Sequence, residues 1–125
     1  WRMREHGASH LGVEAQAVSF ELARRNVARN ALDARVTLRR GDLREVARDE
    51  TLAASFDLVT GTPPYVPPGR STPAPDPQKA YARIEYRGGV EDYLAAMARL
   101  LAPGGRAVIV SSGSSNRRVH VRPGQ

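Results

Sequence analysis

Residues 57–65 read Asp-Leu-Val-Thr-Gly-Thr-Pro-Pro-Tyr, a short apolar stretch that runs directly into a Pro-Pro-aromatic triplet. The pattern predicts a strand at Phe56–Val59 that delivers the triplet at its carboxyl end. Each proline ring fixes its own φ angle and removes a backbone N–H, so Pro63 and Pro64 predict a stiff turn that presents carbonyl oxygens. A rigid surface turn is the simple alternative, but the position of the triplet among the other elements favours a functional role.

Helical periodicity is clearest near the end of the chain. Apolar residues recur at i, i+3, i+4, i+7, i+10 and i+11 from Val90 to Leu101, and Pro103-Gly104-Gly105 predicts the end of this helix. The Pro-rich segment from Val66 to Lys79 is predicted to carry no packed element. Further helices are predicted at residues 15–31, where Phe20, Ala23 and Val27 form an apolar stripe, at 43–53, and at 1–9 as the end of an earlier helix.

Strand patterns alternate with these helices, at residues 10–14, 35–40 and 106–110 in addition to Phe56–Val59. The last strand is predicted to be buried. Alternating strands and helices indicate an α/β fold with right-handed crossovers and a parallel sheet, in which ligands bind at the carboxyl ends of the strands. Three groups of polar or aromatic residues fall at such ends: Glu14, Asp42 with Leu43, and Thr62 to Tyr65.

Composition narrows the classes of protein that fit. The formal charge is +6 with a pI near 10.7, which favours an anionic partner such as RNA. The chain has no cysteine, which excludes disulfides, thiolate catalysis and Cys-based metal sites, and is compatible with a reducing cytoplasm, where we expect it to act. His6, His10 and His120 show no ligand spacing, so no metal site is predicted.

The turn and its place in the chain resemble the class I S-adenosylmethionine-dependent methyltransferases that carry an Asn-Pro-Pro-Tyr or Asn-Pro-Pro-Phe motif. Here Thr62 stands at the Asn position, so that a hydroxyl replaces the amide acceptor of the family. The resemblance implies a Rossmann-like α/β sheet and S-adenosylmethionine as the cofactor. It also implies an incomplete domain at 1–112, without the first strand, its glycine-rich loop and the last strands. The polar and basic composition beyond Ser111 predicts a disordered tail at 113–125.

The resemblance gives the turn a chemical task. An exocyclic amine on a base is a poor nucleophile because its lone pair is delocalised into the ring. Two acceptors at the amine hydrogens favour a pyramidal nitrogen, and no strong general base is then required. Thr62 and the carbonyl of Pro63 would be these acceptors, Pro64 would stiffen the turn, and Tyr65 would stack on the base.

The other two strand ends are the candidate cofactor site. Glu14 would accept hydrogen bonds from the ribose hydroxyls of the cofactor, although a helix-start acid that favours the helix dipole is the alternative. Asp42 would accept from the adenine amine, and the N–H of Leu43 would meet a ring nitrogen. Asp42 is equally well placed to cap the helix at 43–53, with Glu45 at the capping-box position, and one carboxylate can serve both roles.

A finer resemblance concerns the substrate. Ala82-Arg83-Ile84-Glu85 and Leu100 to Gly105 look like stretches of the bacterial subgroup that methylates N6 of an adenine in the anticodon loop of a valine tRNA. This implies structured RNA as the partner, with Arg70, Lys79 and Arg83 as candidate substrate-binding residues. Two alternatives remain open: methylation of a protein glutamine, as on translation release factors, and a noncatalytic RNA-binding or decayed domain.

Overall fold

The computed structural model describes residues 7–70, 72 and 74–110 of the chain. The chain divides into two compact units, one up to Val46 and one from Ala47. The predicted 1–9 helix is wrong for residues 7–9, which are irregular, and residues 1–6 lie outside the described part. Among the described residues, no helix has the length and apolar character needed to span a bilayer.

The first unit is built on a strand–helix–strand motif. Strand β1 (His10–Glu14) and strand β2 (Val36–Arg40) pair in parallel, in a register that runs from His10↔Val36 to Glu14↔Arg40. Helix α1 (Ala17–Arg29) connects them and packs on both. The predicted stripe of α1 is its less exposed side, whereas Val18 and Leu22 face solvent. Parallel pairing through a helical crossover is the arrangement that the sequence predicts.

The predicted helix at 43–53 is wrong in its extent. Helix α2 covers only Leu43–Val46, and a separate turn of 3-10 helix follows at Glu50–Leu52. The break has a local cause, because the Asp49 carboxylate accepts a hydrogen bond from the Thr51 N–H at 3.0 Å and caps the second turn. Asp at such a position competes with the helical backbone and starts a new turn.

The second unit is also a parallel pair joined by helices. Strand β3 (Phe56–Gly61) pairs with strand β4 (Leu101–Ile109), and the connection carries helix α3 (Pro77–Arg83) and helix α4 (Val90–Leu100). Helix α4 packs on both strands. Met97, only 1% exposed, is the centre of its buried face, which also includes Ala96 and Leu100. The predicted stripe of α4 therefore faces the strands.

Helix α3 contradicts the prediction that the segment from Val66 to Lys79 has no packed element. The Asp76 carboxylate accepts from the Gln78 N–H at 2.9 Å, Pro77 occupies the first helical position, and Ala80 is buried. An N-cap Asp followed by Pro is a helix-start signal, because Pro needs no hydrogen-bond acceptor there and its φ angle already suits the helix.

The end of helix α4 and the course of β4 also differ from the prediction. The helix ends at Leu100, and Leu101 is already extended and pairs with Phe56, while Leu58 pairs with Arg106. Residues 102–105 are therefore an irregular stretch of the strand rather than the helix stop. The predicted burial of this strand is wrong as well, because Val108 is exposed on the face of β4 where Arg106 is also exposed.

The described residues thus form an α/β fold with two small parallel sheets, each of two strands. A mixed fold of this kind is compatible with a Rossmann-like methyltransferase sheet. Residues 111–125, which include the predicted tail at 113–125, lie outside the described part of the chain.

Candidate active site

Two predicted cofactor residues lie at the carboxyl ends of β1 and β2. Glu14 is the last residue of β1, and Asp42 follows the end of β2 by two residues. A backbone hydrogen bond of 3.1 Å from the Gly41 N–H to the Glu14 carbonyl ties the two strand ends together. The structure therefore places both carboxylates at the edge of this sheet where parallel α/β folds bind ligands.

The Glu14 side chain is held in place by the start of the following helix. Its Oε1 atom accepts a hydrogen bond of 2.7 Å from the Gln16 N–H, and the residue is half-buried. This is the local role that a helix-start acid was expected to have. A carboxylate has about four lone-pair sites on its two oxygens, so one such bond leaves acceptor capacity for a bound molecule.

Asp42 performs the capping role that the sequence left open. Its Oδ1 atom accepts from the Arg44 N–H at 2.9 Å, and the carbonyl of Asp42 accepts from the N–H groups of Glu45 and Val46. The Arg44 guanidinium also donates to both Asp42 oxygens, at 2.9 and 2.7 Å. Sequence reasoning missed this neighbour. An adenine amine that reached Asp42 would share its carboxylate with a charged partner.

Leu43 is the first residue of helix α2, next to this carboxylate. A first-turn N–H has no acceptor within its own helix, so the Leu43 N–H is one of the donors that α2 leaves available to a ligand or solvent. The three predicted cofactor residues, Glu14, Asp42 and Leu43, are therefore neighbours within the first unit. Their role in holding a cofactor stays a prediction.

The predicted substrate turn belongs to the second unit and begins directly after β3. Pro63 and Pro64 are buried, and the Pro63 side chain is among the most buried in the described residues. Thr62 and Tyr65, on either side of them, are exposed. Buried prolines fix the backbone, so the turn presents a hydroxyl and an aromatic ring to solvent from a rigid support.

The strand that leads into this turn ends on a glycine that sequence reasoning did not single out. A Cβ atom on Gly61 would lie 2.9 Å from Tyr93 Cδ1 and 3.0 Å from Met97 Cε, both on helix α4. Glycine within a strand pattern often marks such a close approach, and this was the available signal. Gly61 lets α4 pack directly beneath the start of the turn.

We expect Gly61→Val to destabilise the protein by about 1–3 kcal/mol, because the added methyl groups overpack a site bounded by the Tyr93 ring. The measurement is chemical denaturation of the intact protein. Thr60→Val is the matched control, since Thr60 is exposed on the same strand and its replacement should change stability by less than about 0.5 kcal/mol. Equal effects of the two substitutions would show that Gly61 is not a packing site.

The residue after the turn is clamped by the stretch that resembles the valine-tRNA subgroup. The Val66 N–H donates to the Arg83 carbonyl at 3.1 Å, and the Glu85 N–H donates to the Val66 carbonyl at 3.0 Å. Ile84, which lies between these two residues, is buried at 3% exposure and forms the isolated parallel bridge with Val66. The Arg83–Glu85 stretch therefore has a structural role that the sequence did not reveal: it fixes the exit of the turn.

The predicted substrate-binding cations are arranged unequally. Lys79 and Arg83 are exposed and lie one helical turn apart on α3, where residues at i and i+4 are neighbours. Arg83 is also joined to the turn through Val66. Arg70 is exposed in the segment before α3, and its N–H donates to the Pro67 carbonyl at 3.2 Å. The structure thus connects Arg83 and Lys79 with the turn more directly than Arg70.

The basic pair on helix α1 has another role. Arg24 and Arg25 both pair with the Glu21 carboxylate, at 2.9 and 3.0 Å. Hydrogen bonds from Arg24, and then from Arg25, lower the pKa of Glu21 to about 2. These guanidinium groups therefore belong to a solvated helix face.

Across the residues that the structure describes, no group of three or more His, Cys, Asp or Glu is arranged to hold a metal ion.

No protein-family model matches the chain. A tRNA1(Val) (adenine(37)-N6)-methyltransferase of Porphyromonas gingivalis is 29% identical over 101 residues, which are 80% of this chain and 39% of the relative. A 4-amino-L-phenylalanine/4-methylamino-L-phenylalanine methyltransferase of Streptomyces pristinaespiralis is 34% identical over 110 residues, or 83% of this chain and 35% of the relative.

A third relative is a ribosomal protein uL3 glutamine methyltransferase of Bradyrhizobium diazoefficiens, 36% identical over 79 residues, or 63% of this chain and 24% of that protein. The chain thus spans between about a quarter and two fifths of the length of these curated relatives. All three names are those of methyltransferases. The chain is therefore related to the class I S-adenosylmethionine-dependent methyltransferases, with enzymes of the tRNA1(Val) adenine-N6 group among its relatives.

Proposed function

We propose that the protein transfers a methyl group from S-adenosylmethionine to the exocyclic N6 amine of an adenine in structured RNA, with tRNA as the substrate. The observation that carries this proposal is the turn after β3, where buried Pro63 and Pro64 support an exposed Thr62 and an exposed Tyr65. An exposed hydroxyl and ring on a rigid backbone suit a flat amine that must be held at a fixed angle.

The names of the relatives support the proposed chemical class of the group that accepts the methyl. Their names specify an adenine N6, the 4-amino group of an amino acid and a glutamine. In each case the nitrogen is attached to a π system that withdraws its lone pair, so the chemical difficulty is shared. A site that orients such a nitrogen and accepts its hydrogens solves this difficulty without a strong base. The turn from Thr62 to Tyr65 offers acceptors and a ring, and no ionisable base.

Each residue of the turn has a separate task in this proposal. The Thr62 hydroxyl and the Pro63 carbonyl accept hydrogen bonds from the amine, and Pro64 keeps the turn in one conformation. Tyr65 covers the face of the base. The nitrogen lone pair would form the bond to the methyl carbon while the bond from that carbon to the sulfonium sulfur breaks and leaves its electron pair on the sulfur. The extra proton on the nitrogen would then pass to solvent through the acceptors of the turn.

The first unit supplies the groups that fit an adenosine cofactor. Glu14 retains acceptor capacity for ribose hydroxyls, an adenine amine would share the Asp42 carboxylate with Arg44, and the Leu43 N–H is a donor for a ring nitrogen. S-adenosylmethionine, when bound, supplies a methyl carbon attached to a positively charged sulfur. The residues of the chain bind and orient its adenosine part.

The pairing of the strands supports a Rossmann-like type of α/β fold. In the doubly wound order 3-2-1-4-5-6, strand 2 pairs with strand 3 and strand 4 with strand 5. The pairs β1–β2 and β3–β4 are likewise parallel neighbours joined by helical connections. We propose that the fold is of the Rossmann-like type.

RNA is favoured as the substrate by charge and by position. The chain carries 19 Lys and Arg against 13 Asp and Glu, and a positive surface gains affinity for RNA by releasing counterions. Lys79 and Arg83 lie on the helix that leads to the clamp on Val66, and with Arg70 they would contact phosphates. Glutamine methylation is the second candidate function, because one relative is named for it.

A comparison of three possible methyl acceptors tests the proposal. The intact protein is incubated with S-adenosylmethionine that carries a labelled methyl group and with one of three acceptors: unmodified tRNA transcribed in vitro, ribosomal protein uL3, or 4-amino-L-phenylalanine. We expect label in tRNA and little in the other two. Label in the protein alone would establish the glutamine alternative, and label in the amino acid alone would establish a small aryl amine as the substrate.

The hydroxyl of Thr62 provides a test within the site. We expect Thr62→Val, which keeps the shape and removes the acceptor, to lower turnover about 5- to 10-fold, the value of a typical hydrogen bond. Thr62→Ser keeps the hydroxyl and should retain most of the activity. Turnover of both variants is measured at saturating cofactor. Equal turnover of Thr62→Val and the unmodified protein would exclude the hydroxyl as an acceptor.

A further inference from the structure

Exposed tyrosines gather around the turn and its clamp. Tyr65 ends the turn, and Tyr81 and Tyr86 flank the Arg83–Glu85 stretch that hydrogen-bonds to Val66. These residues are 39%, 41% and 44% exposed. Two large rings that contact each other and remain partly in solvent, as Tyr81 and Tyr86 do, indicate an interaction surface. The proposed methyl transfer uses Tyr65 and leaves the other two without a role.

Tyr81 and Tyr86 form an ordered cluster with a cation. Their ring centroids are 5.3 Å apart at an interplanar angle of 67°, an edge-to-face contact. The Arg87 guanidinium carbon lies 4.2 Å from the centroid of the Tyr81 ring, within cation–π distance. Buried Ile84, which bridges to Val66, lies between the two tyrosines in sequence. We call these three residues, Tyr81, Tyr86 and Arg87, the tyrosine platform.

We propose that the tyrosine platform is a second stacking site, which binds the nucleotide next to the target adenine in a single-stranded loop of the RNA. This inference rests on the proposed function. Aromatic rings beside cations are the surface that single-stranded nucleic acid requires, because every base has a face to stack and every nucleotide carries a phosphate. Lys79 and Arg83, exposed on the adjoining helix, supply further positive charge.

The geometry specifies how such a nucleotide is held. The two ring planes are 67° apart, so one flat base stacks on only one ring and meets the other at its edge. The clamp on Val66 joins the platform to the turn by hydrogen bonds of 3.1 and 3.0 Å, which fixes its backbone near Tyr65. Tyr65 thus holds the target base and the platform holds its neighbour. The platform serves an RNA substrate and has no task with a free nucleoside.

A double-mutant cycle between protein and RNA tests this proposal. The RNA is a stem-loop with the target adenine in its loop, prepared intact or with abasic nucleotides on both sides of that adenine. The protein variants are Tyr81→Leu and Tyr86→Leu in the intact protein, with Tyr81→Phe as the conservative change. Leu22→Ala, at a residue that is 54% exposed on helix α1, is the control for a general surface effect. RNA and cofactor dissociation constants are measured for each pair.

We expect at least one leucine variant to bind the intact stem-loop about 5- to 100-fold more weakly, the range for the loss of base–aromatic stacking. Abasic nucleotides beside the target adenine should weaken RNA binding by the unmodified protein by a similar factor. They should weaken RNA binding by that variant little further. Tyr81→Phe and Leu22→Ala should leave RNA binding unchanged, and cofactor affinity should stay constant throughout.

Two results would overturn the platform while the proposed methylation stands. One is unchanged RNA binding in both leucine variants. The other is a loss of affinity for the variant with abasic RNA that equals the product of the two separate losses. Failure of the unmodified protein to bind any RNA would also overturn it. In that case, methyl transfer to a protein or an aryl amine would show that the methyltransferase assignment survives without RNA.

Discussion

Tyr65→Ala is expected to lower kcat/KM on RNA by about 100-fold or more in the intact protein. Loss of base stacking is worth about 1–3 kcal/mol, and a misplaced amine adds to the loss because displacement by about 1 Å can cost about 100-fold in rate. Tyr65 is exposed and follows two buried prolines, so its removal leaves the supporting turn intact. The effect should therefore appear in catalysis rather than in folding.

The decisive comparison is between turnover and cofactor binding. The dissociation constant of S-adenosylmethionine, measured by calorimetry, should stay within about twofold, as for an independent site. Tyr65→Phe keeps the ring and should retain most of the activity. Wild-type turnover in Tyr65→Ala would remove this residue from the substrate site, and a parallel loss of cofactor affinity would mean that the ring serves both molecules.

Glu14→Ala is expected to have the opposite pattern, with the main loss in cofactor affinity. Hydrogen bonds to a charged group contribute about 1.5–3 kcal/mol, which corresponds to a cofactor dissociation constant raised about 10- to 150-fold. The same carboxylate accepts from the Gln16 N–H at 2.7 Å, so part of any loss can come from the start of helix α1. Affinity and stability must therefore be measured together.

Glu14→Gln separates the two contributions. Its amide keeps an acceptor oxygen for the Gln16 N–H but lacks the charge and the second acceptor, so stability should be preserved while cofactor affinity falls part of the way. Turnover at saturating cofactor should change little in either variant. Wild-type affinity in Glu14→Ala would assign Glu14 to the helix start alone.

Elements with strong local signals were predictable from the sequence. Strand β1 was predicted at 10–14 and is observed at His10–Glu14, and the apolar stripe of α4 faces its strands. The pattern that predicts each of these elements is contained in one short stretch of consecutive residues. The predicted end of α4 was wrong because Leu100 and Leu101 are both apolar and continue the helical period, although Leu101 already belongs to β4. Periodicity does not distinguish a helix end from the first residue of a strand.

The features that shape the proposed substrate site were less predictable because they depend on contacts between residues distant in sequence. The bridge between Val66 and Ile84 joins residues on either side of helix α3, and the Asp76-Pro77 start of that helix was obscured by the surrounding prolines. Gly61 carried a usable signal, but its neighbours on α4 are known only from the fold. The positions of Glu14, Asp42 and the turn followed from one rule, that ligands bind at the carboxyl ends of parallel strands.

We propose that the amine of a base, held by the turn from Thr62 to Tyr65, receives the methyl group. The most direct test uses RNA synthesised with a heavy-nitrogen label in the exocyclic amine of adenine, together with S-adenosylmethionine that carries a labelled methyl group. After reaction with the intact protein, the RNA is digested to nucleosides and analysed by mass spectrometry with fragmentation. We expect adenosine with the labelled methyl on the heavy nitrogen. A methyl group on a ring nitrogen, on the ribose or on no nucleoside at all would contradict it.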